Sequence, residues 1–162
     1  MEPPIVELGA GDAGELLTLQ RAAYVTEAQL NGDCHLPPLT QSLGELLEEL
    51  ADPAIRAFGI RDPGGRLVAA VRIRGAGGRV EVRRLAVVPD RQGQGLGTRL
   101  LLAAEERCPG GTHELYLFTG DRSLANLRLY QRHGYRETHR SPAGTHDLVH
   151  LVKPLGGGSA EG

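Results

Sequence analysis

Residues 85–98 read LAVVPDRQGQGLGT, with three alternate glycines between an apolar run of strand type and a leucine-rich run. After the glycines, Leu96, Leu100 and Ala104 recur at helical spacing. Glycine lets the backbone adopt conformations closed to other residues and lets a ligand approach it closely. The first N–H groups of a helix have no acceptor within the helix and lie at the positive end of its dipole. The stretch therefore predicts a strand, a turn and a helix whose N-terminus binds a phosphate or pyrophosphate.

Two common phosphate-binding loops do not fit these residues. A Walker loop ends in Gly-Lys followed by Ser or Thr, whereas here Gly97 is followed directly by Thr98. A dinucleotide fingerprint reads Gly-x-Gly-x-x-Gly, whereas this turn has its glycines at 93, 95 and 97. A mobile surface turn has the same composition, and for the turn taken alone this alternative stays open.

Composition excludes several classes of protein. The chain has 162 residues, 40% hydrophobic and 23% charged, which predicts one globular domain and argues against disordered and disulfide-rich classes. A net charge of −2 gives no reason to expect a nucleic-acid partner. The N-terminal residues resemble no secretion signal, and the apolar runs are too short to span a membrane. We therefore expect a cytoplasmic protein with no membrane partner, in which Cys34 and Cys108 are reduced thiols.

Hydrophobic periodicity predicts an ordered series of elements. The predicted helices span 12–29, 42–50, 96–107 and 123–133, and the predicted strands span 55–60, 67–74, 79–88, 114–119, 135–138 and 147–152. Glycine-rich turns between the first three strands predict an antiparallel meander. The strand-helix-strand unit around the glycine turn predicts a parallel pair. Residues 156–162 have nothing to bury and predict a disordered tail.

The segment Gln92-Gly93-Gln94-Gly95-Leu96-Gly97 resembles the acetyl-CoA signature Gln/Arg-x-x-Gly-x-Gly/Ala of the GNAT-type N-acetyltransferases. The predicted order of elements resembles that family over roughly residues 5–155. The resemblance implies an α/β (α+β) GNAT fold in a single domain of residues 1–155. Its sheet would be mixed and mostly antiparallel, with one splayed parallel pair of strands, flanked by about four helices.

The resemblance implies acetyl-CoA as the acyl donor and no metal. In such enzymes the pantetheine arm lies between the splayed strands, and the pyrophosphate rests on the helix N-terminus. The backbone groups of Val87 and Val88 would bind the pantetheine amides, although plain core packing explains their side chains equally well. The pyrophosphate would be bound by Gln92, Gly93, Gln94, Gly95, Leu96, Gly97 and Thr98. Gln92 adds no charge where many relatives have arginine, and Arg91 is expected to compensate.

A second motif, SLANLRLYQRHGY at residues 123–135, resembles the late GNAT segment Asn-x-x-Ala-x-x-Leu-Tyr-x-x-x-Gly-Phe/Tyr. Tyr130 corresponds to the tyrosine that protonates the departing thiolate, and a phenol suits this role. The alternative is that Tyr130 is a core residue of an amphipathic helix. Ser123 stands where asparagine is common, and Asn126 follows one turn later. Either side chain is a candidate ligand of the cofactor, and Ser123 is equally a candidate helix N-cap.

Acetyl transfer to an amine requires a base, because an alkylammonium is almost wholly protonated at neutral pH. Glu81 aligns with the glutamate that some GNAT enzymes use for this purpose. Strand alternation groups Glu81 with Arg83, Leu85 and Val87 on one face, away from Val80 and Val82. The alternative for Glu81 is a solvated strand residue paired with a neighbouring arginine.

The acceptor site is expected in the first helix and the loop after it, because these segments wall that site in the family. The candidate residues are Tyr24, Glu27, Asp33 and His35. His139, His146 and His150 have no matching framework of carboxylates or cysteines, so no metal site is predicted. The function predicted is an acetyl-CoA-dependent N-acetyltransferase acting on a primary amine of a small molecule or peptide. The alternative is a non-catalytic acyl-CoA-binding sensor or interaction domain. The oligomeric state stays open, although the late strands commonly mediate homodimers in this family.

Overall fold

The computed structural model describes residues 2–156, so the predicted tail lies outside the described residues except for Gly156. Its strands are β1 (Ile5–Leu8), β2 (Ile55–Arg61), β3 (Leu67–Ala76), β4 (Arg79–Val87), β5 (Glu114–Gly120), β6 (Arg136–Pro142) and β7 (Asp147–Pro154). Its helices are α1 (Ala13–Asn31), α2 (Pro37–Thr40), α3 (Leu43–Ala51), α4 (Leu96–Glu106) and α5 (Leu124–Arg132).

Within the described residues, the seven strands form one mixed sheet in the order β1-β2-β3-β4-β5-β7-β6. Strands β1 to β4 are antiparallel neighbours, as are β5, β7 and β6, whereas β4 and β5 run parallel. The predicted fold class, with its meander and its single parallel pair, is confirmed.

The parallel pair is the feature that opens the sheet. Strands β4 and β5 are paired only from Arg79 and Glu114 to Glu81 and Tyr116, which is three positions. Beyond this point β4 continues beside β3, and β5 continues beside β7. The two strands therefore diverge towards their C-terminal ends, which is where open α/β sheets bind ligands.

Three elements differ from the prediction. Strand β1 was not predicted, because four residues at the sheet edge are too few to show a clear alternation. Helix α2 is a single turn inside the predicted loop, with Pro37 and Pro38 in its first turn, where a missing N–H costs nothing. Strand β6 extends to Pro142, four residues past its predicted end, although most of its side chains are exposed.

A β-bulge in β4 changes which side chains share a face. Arg72 pairs with Arg83, and Ala69 pairs with Val87, so four residues of β3 lie opposite five of β4. Arg84, within this interval, has a φ of 54° and is the only non-glycine residue with positive φ in the described chain. The extra residue in β4 reverses, from this point on, which side chains point to which face of the sheet. The prediction that Glu81, Arg83, Leu85 and Val87 share one face was therefore wrong, since Arg83 and Val87 lie on opposite faces.

Helices cover both faces of the sheet. On one face, Arg72 of β3 is 1% exposed and donates from Nε to Glu49 Oε2 of α3 at 2.8 Å. Its Nη2 atom donates to Gln20 Oε1 of α1 at 2.9 Å. On the opposite face α4 packs against β4, where Gly97 lies beside the Val87 side chain. The core lies between these layers and includes Leu16, Phe58, Ile73, Leu100 and Leu117.

Replacing Glu49 by glutamine should lower the free energy of unfolding by about 3 kcal/mol, because it leaves the buried Arg72 charge without its counter-charge. Chemical denaturation at pH 7 measures the change. Glu7→Gln is the matched control, since Glu7 forms its ion pair with Arg56 at the surface and should change the free energy by less than about 1 kcal/mol. Equal effects of the two substitutions would contradict the prediction.

The same pair gives stability a pH dependence of known sign. Burial alone would raise the pKa of Glu49, but the Arg72 charge and a hydrogen bond from Gln41 outweigh burial and hold the pKa below its ordinary value of 4.5. A lowered pKa in the folded state means that this stabilisation is present above pH 4.5 and is lost as the pH falls. The stability difference between wild type and Glu49→Gln should therefore shrink in acid.

Candidate functional site

Two connected cavities lie where β4 and β5 diverge. One, which we call the groove, has a volume of about 540 Å³ and runs along α1, the end of β4 and the glycine turn. The other, which we call the pocket, has a volume of about 350 Å³ and lies between α1, the middle of β4 and β5. Tyr24, Glu27, Leu85 and Asn126 line both cavities, so the groove and the pocket meet at these four residues.

The glycine turn forms one end of the groove. Gly93 and Gly95 have φ angles of 78° and 82°, a region that only glycine adopts readily. Gly95 is the N-cap of α4, and the N–H of Arg99 donates to its carbonyl at 3.1 Å. The N–H groups of the three residues between them have no acceptor within the helix. Gly93, Gly95, Leu96, Gly97 and Thr98 line the groove, so these predicted residues are brought together around an anion-binding helix end.

The other predicted cofactor groups of this segment are placed less uniformly. Gln92 and Val87 both line the groove. The Gln92 side-chain amide donates to the Val87 carbonyl at 3.2 Å, so these two groups are hydrogen-bonded to each other. Gln94 and Val88 lie outside the lining, and the Val88 N–H donates to Val68 within the strand region. Arg91 does line the groove, and its Nη1 lies 3.5 Å from Asp62 Oδ2, so its charge is shared with that carboxylate.

Ser123 and Asn126 both line the groove, on the first turn of α5. Ser123 stands at the N-cap position, but its side chain does not cap the helix. Its hydroxyl instead donates to Glu27 Oε1 of α1. Asn126 Nδ2 donates to Thr119 Oγ1 at 3.4 Å, a long bond that a ligand could replace. Ser123 thus links α5 to α1 across the groove, a role that neither sequence alternative contained.

Tyr130 lies both in the hydrophobic core and in the lining of the pocket. Its ring is buried in the core, 7% exposed, and packs edge to face on Tyr135 with centroids 5.9 Å apart. The residue also lines the pocket, and no described residue hydrogen-bonds its hydroxyl. Burial, with the nearby Tyr24 and Glu27, raises the pKa of Tyr130 above its ordinary value of 10. The phenol therefore keeps its proton at neutral pH.

Glu81 lines the pocket at the point where the parallel pairing ends. Its side chain is 13% exposed, and its Oε2 lies 3.8 Å from Arg83 Nε, too far for a hydrogen bond. Burial raises the pKa of Glu81 above its ordinary value of 4.5, although Arg83, Arg84 and Arg74 oppose the rise. A carboxylate whose pKa is moved towards neutrality is suited to accept a proton.

The predicted acceptor residues are partly brought together. Tyr24, Glu27 and Asp33 line the pocket, whereas His35 does not. The backbone N–H of His35 donates to Asp33 Oδ1, and its ring lies 3.5 Å from the Cys34 sulfur in an exposed loop. His35 is exposed and is not part of the pocket lining, so the structure gives no support to its assignment to the acceptor wall.

Several pocket residues were missed by sequence reasoning. Arg83 and Arg84 both line the pocket although they are adjacent, which a regular strand does not allow. The bulge at Arg84 allows both side chains to border the same cavity, and the residue pattern of β4 does not predict a bulge. Asn31 at the end of α1 and His146 before β7 also line the pocket. They are 115 residues apart in sequence, so no local pattern could indicate that they line the same pocket.

The histidines do not gather into one site. His139 and His150 stack with ring centroids 4.2 Å apart on β6 and β7, while His146 lines the pocket. Among residues 2–156 there is no group of three or more His, Cys, Asp or Glu side chains placed to hold a metal ion. None of the described helices combines the length and apolar character needed to cross a membrane.

Comparison with known proteins agrees with this geometry. The sequence model of the acetyltransferase (GNAT) family matches residues 24–135. A mycothiol acetyltransferase from Clavibacter michiganensis is 29% identical over 133 residues, which are 79% of this chain and 40% of that protein. The chain thus spans less than half the length of this relative.

Solved structures share the fold over nearly the whole chain. PaiA N-acetyltransferase from Thermoplasma acidophilum, solved in complex with coenzyme A, is 19% identical with a TM-score of 0.75, covering 96% of this chain and 100% of that one. The ribosomal-protein-S18-alanine N-acetyltransferase from Escherichia coli is 21% identical with a TM-score of 0.76, covering 94% and 93%. At these identities the likeness is one of fold.

Proposed function

The chain belongs to the GNAT acetyltransferase family, and from this premise we propose that it is an acetyl-CoA-dependent N-acetyltransferase that moves the acetyl group directly to a primary amine. The observation that carries the proposal is that Tyr130 and Glu81 line one pocket, which meets the groove at Tyr24, Glu27, Leu85 and Asn126. The free N–H groups of α4 fit a pyrophosphate at the far end of the same groove.

Each step of the transfer has a candidate residue. Acetyl-CoA supplies a thioester, an activated form of the acetyl group. The first turn of α4 and Arg91 hold the pyrophosphate, and the carbonyl of Val87, once released by Gln92, accepts an N–H of the pantetheine arm. Glu81 takes a proton from the ammonium, directly or through water, and Tyr130 gives its proton to the departing sulfur. Binding both reactants in connected cavities makes the reaction effectively unimolecular.

Neither cysteine is placed to carry the acetyl group. Cys108 ends α4, where its Sγ donates to the Ala104 carbonyl at 3.2 Å, and burial raises the pKa of its thiol. A raised pKa leaves little of the reactive thiolate at neutral pH. Cys34 lies in an exposed loop outside both cavities. These placements support direct attack of the amine rather than a covalent enzyme intermediate.

The proposal is tested by mixing the protein with acetyl-CoA and a library of amines and measuring free CoA. We expect CoA release that depends on the amine, together with acetyl-CoA binding in calorimetry. Binding without release for any amine would favour the alternative of a non-catalytic acyl-CoA-binding domain. The absence of binding to acetyl-CoA and to other acyl-CoAs would overturn both.

Replacing Glu81 by glutamine should lower kcat by about 100-fold, because the amide cannot accept the proton. The pH profile is the more specific readout. Since the pKa of Glu81 is raised, the wild-type rate should climb with pH through an acidic limb centred above 4.5, and the variant should lack this limb. Glu114→Gln, on the neighbouring strand and outside both cavities, is the matched control. An unchanged acidic limb in the Glu81 variant would assign the base elsewhere.

A further inference from the structure

Three arginines lie together on the α1 face of the sheet, and their charge is not balanced. Arg72, Arg83 and Arg84 share the neighbourhood of two carboxylates, Glu49 and Glu81. Glu49 contacts Arg72 at 2.8 Å and Arg83 at 3.9 Å, and Glu81 lies 3.8 Å from Arg83. Arg84 has no ion pair and no side-chain hydrogen bond with any residue in the described range. This group of five side chains therefore carries one positive charge in excess.

The same cluster contains unused hydrogen-bond donors. Arg83 Nε and Arg84 Nε are buried and have no partner among the described residues, and Arg72 Nη1 behind them has none either. Buried polar groups of folded proteins are almost always paired, and an unpaired one is costly. These Nε atoms are themselves closed to solvent, but both residues line the pocket, so part of each side chain borders it. Donors and charge both favour an anionic ligand group at this place.

The backbone is distorted at the residue that lacks a partner. Arg84 occupies the left-handed region with a φ of 54°, which costs about 1 kcal/mol or more for a residue other than glycine. The β-bulge that holds it there places adjacent arginines on one cavity. Strain of this kind persists where the surrounding structure enforces it, and it is concentrated at ligand sites.

The rest of the pocket favours a cation. Glu27 and Asp33 line it with two carboxylates, and Glu27 also lines the groove. Asn31 Oδ1 is buried in the same wall and has no donor among the described residues. The pocket is thus lined by two arginines on β4 and by carboxylates on α1 and in the loop after it, within a volume at the small end of small-molecule sites.

We propose that the acceptor is a small zwitterionic amine of the amino-acid type, with its carboxylate bound by Arg84 and Arg83 and its amino group held between Glu27 of α1 and Glu81, the proposed base. This inference rests on the proposed N-acetyltransferase function and names the substrate class of that site. A polyamine would bring further positive charge close to Arg84. The N-terminal residue of a peptide has an amide in place of a free carboxylate, so it would leave the arginines without an anion.

The test compares amines that differ only in the anionic group. For each of a set of free amino acids, kcat/KM is measured beside that of its C-terminal amide, its decarboxylated amine and the matching aminoalkylphosphonate. We expect the amino acids to exceed their amides by about 100-fold, as for loss of one partner of a buried charge pair. The aminoalkylphosphonates should be poorer than the amino acids, because the phosphonate is larger than a carboxylate and brings more negative charge close to Glu81 in the same pocket.

Two substitutions at Arg84 connect the preference to this residue. Arg84→Asn removes the guanidinium while keeping a residue that tolerates positive φ, so the fold should be retained, as checked by its melting temperature. The preference for the carboxylate should fall below about tenfold in this variant and should be partly restored in Arg84→Lys, which keeps the charge. Arg136→Gln, an exposed arginine on β6, is the matched control and should leave the preference unchanged.

Binding gives a second readout that needs no turnover. Calorimetry of the best amino acid against protein saturated with CoA should show binding that Arg84→Asn weakens by at least about tenfold. Faster acetylation of the amides, decarboxylated amines, peptide N-termini or phosphonates than of the amino acids would overturn this inference while leaving the N-acetyltransferase function intact. Failure to bind any acyl-CoA would instead overturn the function on which the inference rests.

Discussion

Replacing Tyr130 by phenylalanine should lower kcat by about 1000-fold and leave acetyl-CoA affinity almost unchanged, because the hydroxyl acts only when the thiolate departs. The phenylalanine ring fills the same space and keeps the edge-to-face contact with Tyr135, so the fold should not suffer. No described residue loses a hydrogen bond to the missing hydroxyl. Steady-state measurement of CoA release gives the turnover, and calorimetry with acetyl-CoA gives the binding affinity.

Tyr135→Phe is the matched control for this experiment. Its ring contacts Tyr130, but its hydroxyl lies away from both cavities and donates to Glu105 Oε2 at 3.1 Å. Removing that bond should cost about 1 kcal/mol of stability without a comparable loss of turnover. If Tyr130→Phe retained full kcat, the hydroxyl would have no catalytic role, and Tyr130 would be only the core residue that its burial also describes.

Replacing Gly95 by glutamate should weaken acetyl-CoA binding by about 1000-fold. Gly95 has a φ of 82° at the N-cap of α4, where a residue with a side chain costs roughly 1–2 kcal/mol. The new carboxylate also brings a negative charge to the helix end that is expected to bind pyrophosphate, and such repulsion costs several kcal/mol. Together these costs exceed about 4 kcal/mol, and each 1.4 kcal/mol corresponds to tenfold in affinity. Calorimetry with acetyl-CoA measures the loss.

Gly110→Glu controls for the added charge and side chain. Gly110 follows α4 in an exposed turn, its φ is not positive, and a Cβ atom there meets no neighbour within 4 Å. Acetyl-CoA binding should be unaffected by this change. Gly95→Ala should fall between wild type and Gly95→Glu, because it adds the backbone strain without the charge. Equal binding by Gly95→Glu and wild type would place the pyrophosphate away from α4.

Much of the cofactor side was predictable because its determinants are contiguous. The glycine turn, the strand before it and the helix after it lie within residues 85–107, and local backbone preference places Gly93 and Gly95 in the turn. Tyr130 was predictable because a second contiguous motif carries it. Hydrogen bonds between separate segments were not predictable, such as the Ser123 hydroxyl donating to Glu27.

The pocket side was predictable only in part. Tyr24, Glu27 and Asp33 reach it from one helix and the turn that follows, so placing that segment places all three. His35 lies two residues beyond Asp33 but is not part of the pocket lining, and residue type alone does not say which loop residues border a cavity. Arg84 could not be assigned, since alternation along a strand assumes that no residue is inserted.

The amino-acid sequence by itself determined most of the helices and strands, the parallel crossover and the glycine turn before α4, because periodicity and glycine conformation act over a few residues. Only the tertiary structure decided what the pocket contains. A single extra residue in β4 places Arg83 and Arg84 together, and the divergence of β4 and β5 opens the space before them. Sheet register depends on contacts between residues distant in sequence, and these contacts therefore determine which side chains meet a ligand.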